Sequence, residues 1–203
     1  MHPIPHWQRQ ELEQWHLTAG TYQDLAKKIS DAGNSIATID AIMYKRLELI
    51  EYESDLFNDL TCADGIATYK GMIKLALNTK YLRNLENKVQ KDGAILLNED
   101  EFNSIKGRTF TRDYANSMLL PDKYELTANS FWLHVSRYQP NLLRNYFEAA
   151  SKKSKGNTMR IILPDDSDVP MLYALKLGKL ETGSFLSVQY LDENTLIPST
   201  RMS

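Results

Sequence analysis

One cysteine, Cys62, is all the thiol that this 203-residue chain carries. A single thiol closes no intrachain disulfide and assembles no cysteine-based zinc site. The four histidines, His2, His6, His16 and His134, fall in no metal-ligand spacing. Glycine-rich phosphate loops, dinucleotide fingerprints and the GxSxG elbow of hydrolases are all missing. No apolar run approaches the about 20 residues of a membrane span. The first residues are neither basic nor followed by an apolar stretch, so no signal peptide is read and a cytoplasmic protein is expected. A basic excess is absent too: the formal net charge is −2. General nucleic-acid binders draw most of their affinity from phosphate neutralisation, so that class is disfavoured.

What is present is an ordinary globular mixture, 42% hydrophobic and 25% charged, long enough to bury a core. The texture changes near Gly93. Residues 1–93 read as a helical region and 94–203 as a small α/β region, or the two form one continuous domain. A first helix is expected over 5–17, with Trp7, Leu12 and Trp15 inward. Thr21 caps a second, with Tyr22, Leu25, Ala26 and Ile29 on one face. A third spans 35–59 on Ile36, Ile39, Met43, Leu47, Ile50 and Phe57, and a fourth spans 63–91 on Ile66, Tyr69, Ile73, Leu77, Tyr81, Leu85 and Val89. Acidic residues crowd the end of the third stripe and lysines dominate the fourth. An antiparallel helical hairpin turning near Leu60 explains that segregation, bringing Glu51 and Glu53 to Lys70 and Lys74.

Beyond Gly93, Asn98-Glu99-Asp100-Glu101 reads as a helix N-cap with an acidic first turn. Residues 131–138 alternate as a strand, and Pro140 opens a helix with Leu142, Leu143, Tyr146, Phe147 and Ala150 inward. A strand at 159–163, a helix between Asp168 and Gly178 and a strand at 184–191 complete a β-α-β-α-β order. The expected fold class is α+β: a helical N-terminal half with a long antiparallel hairpin, then a small sheet with some parallel pairing.

No catalytic residue, metal ligand or cofactor site is expected. Cys62, just before the fourth expected helix, reads as a small buried or capping-region residue, His134 as a hydrogen-bonded structural histidine, and Asp165, Asp166 and Asp168 as helix-capping acids. Lys152, Lys153 and Lys155 beside Phe131, Trp132 and Tyr138 would suit a single-stranded nucleic-acid binder, the least favoured class. Eleven tyrosines stand out. Tyr22, Tyr69 and Tyr81, with Glu51 and Lys74, are the candidate protein-interface residues, because tyrosine joins an apolar body to a polar tip.

Residues 130–198 add a resemblance. The runs Asp165-Asp166-Ser167-Asp168-Val169, Tyr173-Ala174-Leu175-Lys176 and Leu196-Ile197-Pro198, in that strand-helix order, resemble the C-terminal region of IcmQ, an accessory protein of the Dot/Icm type IVB secretion system. In that family the region continues into a nucleotide-binding domain related to ADP-ribosyltransferases, and no binding residue carries over here. The resemblance implies a cytosolic, non-enzymatic adaptor or chaperone whose partners are secretion-complex subunits or substrates. The competing expectation is a nucleotide binder on a degenerate transferase-like sheet.

Overall fold

The structure, a computed structural model, describes residues 15–52, 54–83, 85, 88, 90–112, 130–155, 159–183 and 185–201. Strand β1, Trp15–Thr21, opens the described chain and pairs antiparallel with the last strand, β10, Asn194–Arg201. On its other edge β10 takes the short β2, Asn34–Ile36, making a three-stranded sheet that brings the two ends of the described chain together. Between β1 and β2 runs α1, Tyr22–Asp31. Thr21 caps it through a 3.2 Å bond from the Asp24 N–H, and Tyr22, Leu25, Ala26 and Ile29 are buried, as the spacing of those residues predicts.

The second sheet is larger. Its centre is β3, Leu60–Tyr69, flanked by β4, Met72–Ala76, and β8, Met171–Leu177. Beyond β4 lies β7, Thr109–Thr111. The free edge of β8 is shared by β6, Ala94–Leu96, and β9, Leu186–Gln189; β6 in turn pairs with β5, Gln90–Lys91. Every strand pairing in both sheets is antiparallel. One face of this sheet buries Leu60, Cys62, Ile66, Ile73 and Leu175 against α2 (Ile39–Glu48), α5 (Ser130–Val135) and α6 (Pro140–Lys153). The other buries Ala63, Ala67, Leu172 and Ala174 against α1 and Leu82 of α3, Lys80–Arg83. A short helix, α4 (Glu99–Ser104), carries the Asn98–Glu101 capping box that its sequence announces.

The helical N-terminal half and its long hairpin are therefore overturned. Residues 60–76 form two central strands, not a helix, and the third expected helix shrinks to α2. The cause is burial on both faces: all ten residues of β3 are buried, so the polar-apolar alternation that marks a strand is erased. Turn chemistry was the missed signal. Lys70-Gly71 joins β3 to β4 with φ of 46° and 73°, and Asp92-Gly93 joins β5 to β6 with φ of 51° and 69°. Both are two-residue turns with positive φ at each central position, the geometry that matches strand twist in hairpins. Gly93 is thus a hairpin residue, and strands from either side of it share both sheets.

The β-α-β-α-β order fails as well. Residues 130–135 are helix α5, the segment before Gly178 is strand β8, and Ile161 makes only an isolated parallel bridge to Leu186. The helix opened by Pro140 is borne out as α6, with Leu142, Leu143, Tyr146, Phe147 and Ala150 buried. Trp15 and Leu17 lie in β1; the remainder of the first expected helix lies outside the described residues.

Candidate functional site

Strand β3 is irregular at its middle. Thr61 pairs with Lys176 and Gly65 with Ala174, so three residues of β3 face Leu175 alone. This bulge turns the Asp64 carboxyl, fully buried, toward the helical side. There it accepts the Ile39 N–H at 2.8 Å, at the start of α2, the Asn78 N–H at 2.5 Å, just past β4, and Arg137 Nη2 at 3.0 Å. Burial pushes the Asp64 carboxyl above its ordinary range, and the Arg137 charge and the two N–H groups draw it back.

Arg137 sits in the turn that ends α5. The Tyr138 N–H reaches back to the Leu133 carbonyl at 2.6 Å and the Arg137 N–H to His134 at 3.0 Å. These two bonds make a Schellman motif with Arg137 at the position that glycine usually takes. Its φ is 52° and that of Tyr138 is 59°. A left-handed residue with a Cβ costs about 1 kcal/mol or more. What offsets the cost is the guanidinium, which donates to Asp40 Oδ1 at 2.6 Å as well as to Asp64. Burial works against the Arg137 charge, and the two carboxylates outweigh it, raising its pKa.

The consequence is outward. Tyr138 is 61% exposed while its hydroxyl lies 3.1 Å from His134 Nδ1 and its ring meets the His134 ring edge-on. Next in the chain, Gln139 lines a groove of about 330 Å³ between α2 and the start of α6. Trp15 forms one wall, Leu142 another, and Asp40, Tyr44 and Glu48 come from α2. Tyr44 is 58% exposed. Aromatic surface with carboxylates at its edge, mounted on a rigid ion-paired frame, is equipped to bind; it presents no nucleophile paired with a base.

The residues singled out from sequence lie elsewhere. Tyr22 is wholly buried, its hydroxyl 3.4 Å from the Cys62 carbonyl. Tyr69 is buried and hydrogen-bonds Glu99; Tyr81 is buried with its hydroxyl 3.3 Å from Ser104 Oγ. Lys74 is buried on β4 and donates to the carbonyls of Phe102 and Asn103 at 3.0 and 3.3 Å, and burial lowers its pKa. Glu51 is exposed in the turn region after α2, and with no helical hairpin the geometry that was to pair it with Lys74 is gone. Cys62 is a buried free thiol, raised by burial, on β3 rather than before a helix. Phe131 and Trp132 are core residues, which removes the aromatic platform from beside the lysines. Asp166 accepts the Gly71 N–H at 2.9 Å, so the acidic run braces the β3–β4 turn and leads into a strand, not a helix. The groove escaped sequence reading because its walls come from three separated segments; the exposed Tyr44 and Tyr138 carry no periodic signal.

Among the described residues, no cluster of three or more His, Cys, Asp or Glu side chains is placed to hold a metal ion. No helix of the described residues is long and apolar enough to cross a membrane. No protein-family model matches the chain, and no curated protein matches it. A solved structure is similar to it: a protein studied for the accommodation of massive sequence variation in Nanoarchaeota by the C-type lectin fold. The two are 17% identical and superpose with a TM-score of 0.72, over 93% of this chain and 98% of that one. The paired first and last strands and two antiparallel sheets of the described residues, together with this superposition, show that the chain has the C-type lectin fold.

Proposed function

We propose that this chain is a non-enzymatic binding module that engages another protein through the Trp15–Tyr44–Gln139 groove and the neighbouring Tyr138. The observation that carries the reading is the pair of tyrosines, 58% and 61% exposed, beside a groove whose frame is locked by the Arg137 ion pairs. Tyrosine supplies large contact area at low entropic cost and is enriched among interface hot spots. A locked frame loses little further freedom on binding. The similar protein's fold accommodates massive sequence variation; on this chain the same scaffold would leave surface side chains free to specify a partner. The first partners to test are the secretion-complex subunits and substrates that the resemblance implied, in the cytoplasm, although the strand-helix order behind that resemblance is not the one the chain adopts.

The test is affinity purification of the tagged full chain from its host beside a Y44A/Y138A double variant, followed by a titration of each partner recovered. Both side chains are exposed, and because the Tyr138 hydroxyl also faces buried His134, the fold of the variant is checked by circular dichroism before its affinity is read. The expected result is a loss of affinity of about tenfold or more, the size of a hot spot. A partner held equally by the variant, or no protein partner at all, overturns the reading.

A further inference from the structure

A second recess lies on the other side of β4. It has a volume of about 340 Å³ and is walled by the end of β4, the start of α3 and the segment after α4. Its floor is apolar: Ala76 and Ile105 are buried there, with Leu77 beside them. Its rim carries Lys80 and Lys106, and no Asp or Glu lines it. Neither lysine has an acidic partner within ion-pair distance among the described residues. Of the nearby carboxylates, Glu101 feels the Lys80 charge but makes its close ion pair with Lys88. It also accepts the Asn98 N–H, and Asp64 lies behind the Asn78 backbone, answered by Arg137.

The polar groups inside are placed rather than loose. The Lys80 ammonium stands 5.3 Å from the centroid of the Tyr81 ring, a cation–π contact. Ser104 Oγ donates to the Glu101 carbonyl at 2.8 Å, so the Tyr81 hydroxyl gives its proton to Ser104 at 3.3 Å. Asn78 holds φ at 52°, with its N–H turned inward to Asp64. This strained corner sets the chain running from β4 to α3 along the recess. Two cations with no carboxylate at ion-pair distance, over an apolar floor, match one kind of ligand, with a charged head and a greasy body.

We infer that this recess binds a small organic anion, its carboxylate or phosphate head between Lys80 and Lys106 and its apolar body against Ala76, Leu77 and Ile105. The site is separate from the tyrosine groove and is tested without any partner. Isothermal titration of the full chain uses benzoate and phenyl phosphate as probes, with benzyl alcohol as the neutral counterpart and inorganic phosphate as the bodiless one. Saturable binding is expected for at least one of the two aromatic anions, weaker for inorganic phosphate and absent for benzyl alcohol. A K80Q/K106Q variant, altered only at exposed side chains, is expected to lose about tenfold or more in affinity. The inference is overturned by absence of saturable binding for both aromatic anions, by benzyl alcohol binding as tightly, or by affinity that the double lysine variant leaves unchanged.

Discussion

The Arg137 guanidinium lies 3.0 Å from the buried carboxyl of Asp64, joining the turn after α5 to the bulge of the central strand. Through Asp64 that contact also reaches the first turn of α2 and the chain leaving β4. One side chain thus holds together the helix that carries Tyr44, the turn that carries Tyr138 and a wall of the anion recess.

Replacing Asp64 by Asn keeps the shape and removes an acceptor. Oδ1 accepts from Asn78 and Arg137 and Oδ2 from Ile39, so an amide NH2 at either position faces a donor. D64N is expected to destabilise the fold by about 3 kcal/mol or more, through an unsatisfied buried donor and a weakened partner for Arg137. Urea unfolding measures it, as a lower midpoint at unchanged slope. A loss below about 1 kcal/mol would show that the cluster is not what orders this corner.

Two glycines separate space from backbone strain. A Cβ on Gly65 would lie 2.5 Å from the Tyr173 carbonyl oxygen and 2.7 Å from Leu82 Cδ1. The first is backbone of a central strand, which yields little, so G65A is expected to cost about 3 kcal/mol. Gly33 meets nothing within 4 Å but holds φ at 72°, so G33A carries only the left-handed penalty, about 1 kcal/mol. Thermal unfolding of both variants ranks them; the reverse order would contradict the packing described for β3.

His134 makes stability depend on pH. It is buried, its Nδ1 faces the Tyr138 hydroxyl, and its Nε2 has no hydrogen-bond partner. Burial lowers its pKa first, then the charges of Arg137 and Arg108. A histidine lowered in the folded state contributes stability above its unfolded value, about 6.5, and that contribution is lost as pH falls through the folded value. The melting temperature is expected to fall between about pH 7.5 and 5.5, and less so in H134Q. An identical pH slope in both proteins would place the dependence elsewhere.

The local elements that were legible in the sequence are those whose burial is one-sided. Helix α1 shows its stripe and its Thr21 cap, α6 shows its stripe behind Pro140, and α4 shows its capping box, because each packs one face and exposes the other. The central strands were not legible. Tyr69 and Ile73 fall at helical spacing only because the two-residue turn at Lys70-Gly71 lies between them, while Ile66 and Tyr69, three apart on β3, pack into the cores on its two opposite faces. Period alone does not part a doubly buried strand from a buried helix.

Composition and local pattern by themselves determined a globular chain with no second thiol to pair with Cys62, three of its helices and no recognisable catalytic motif. Tertiary structure alone decided that β1 meets β10, that β3 meets β8, and that Trp15, Tyr44 and Gln139 share one groove. The two strand pairings join residues more than a hundred positions apart, such as Thr61 with Lys176. They are selected by the burial of two sheet faces and by the pairing of buried charges, and neither leaves a mark within a short window of sequence.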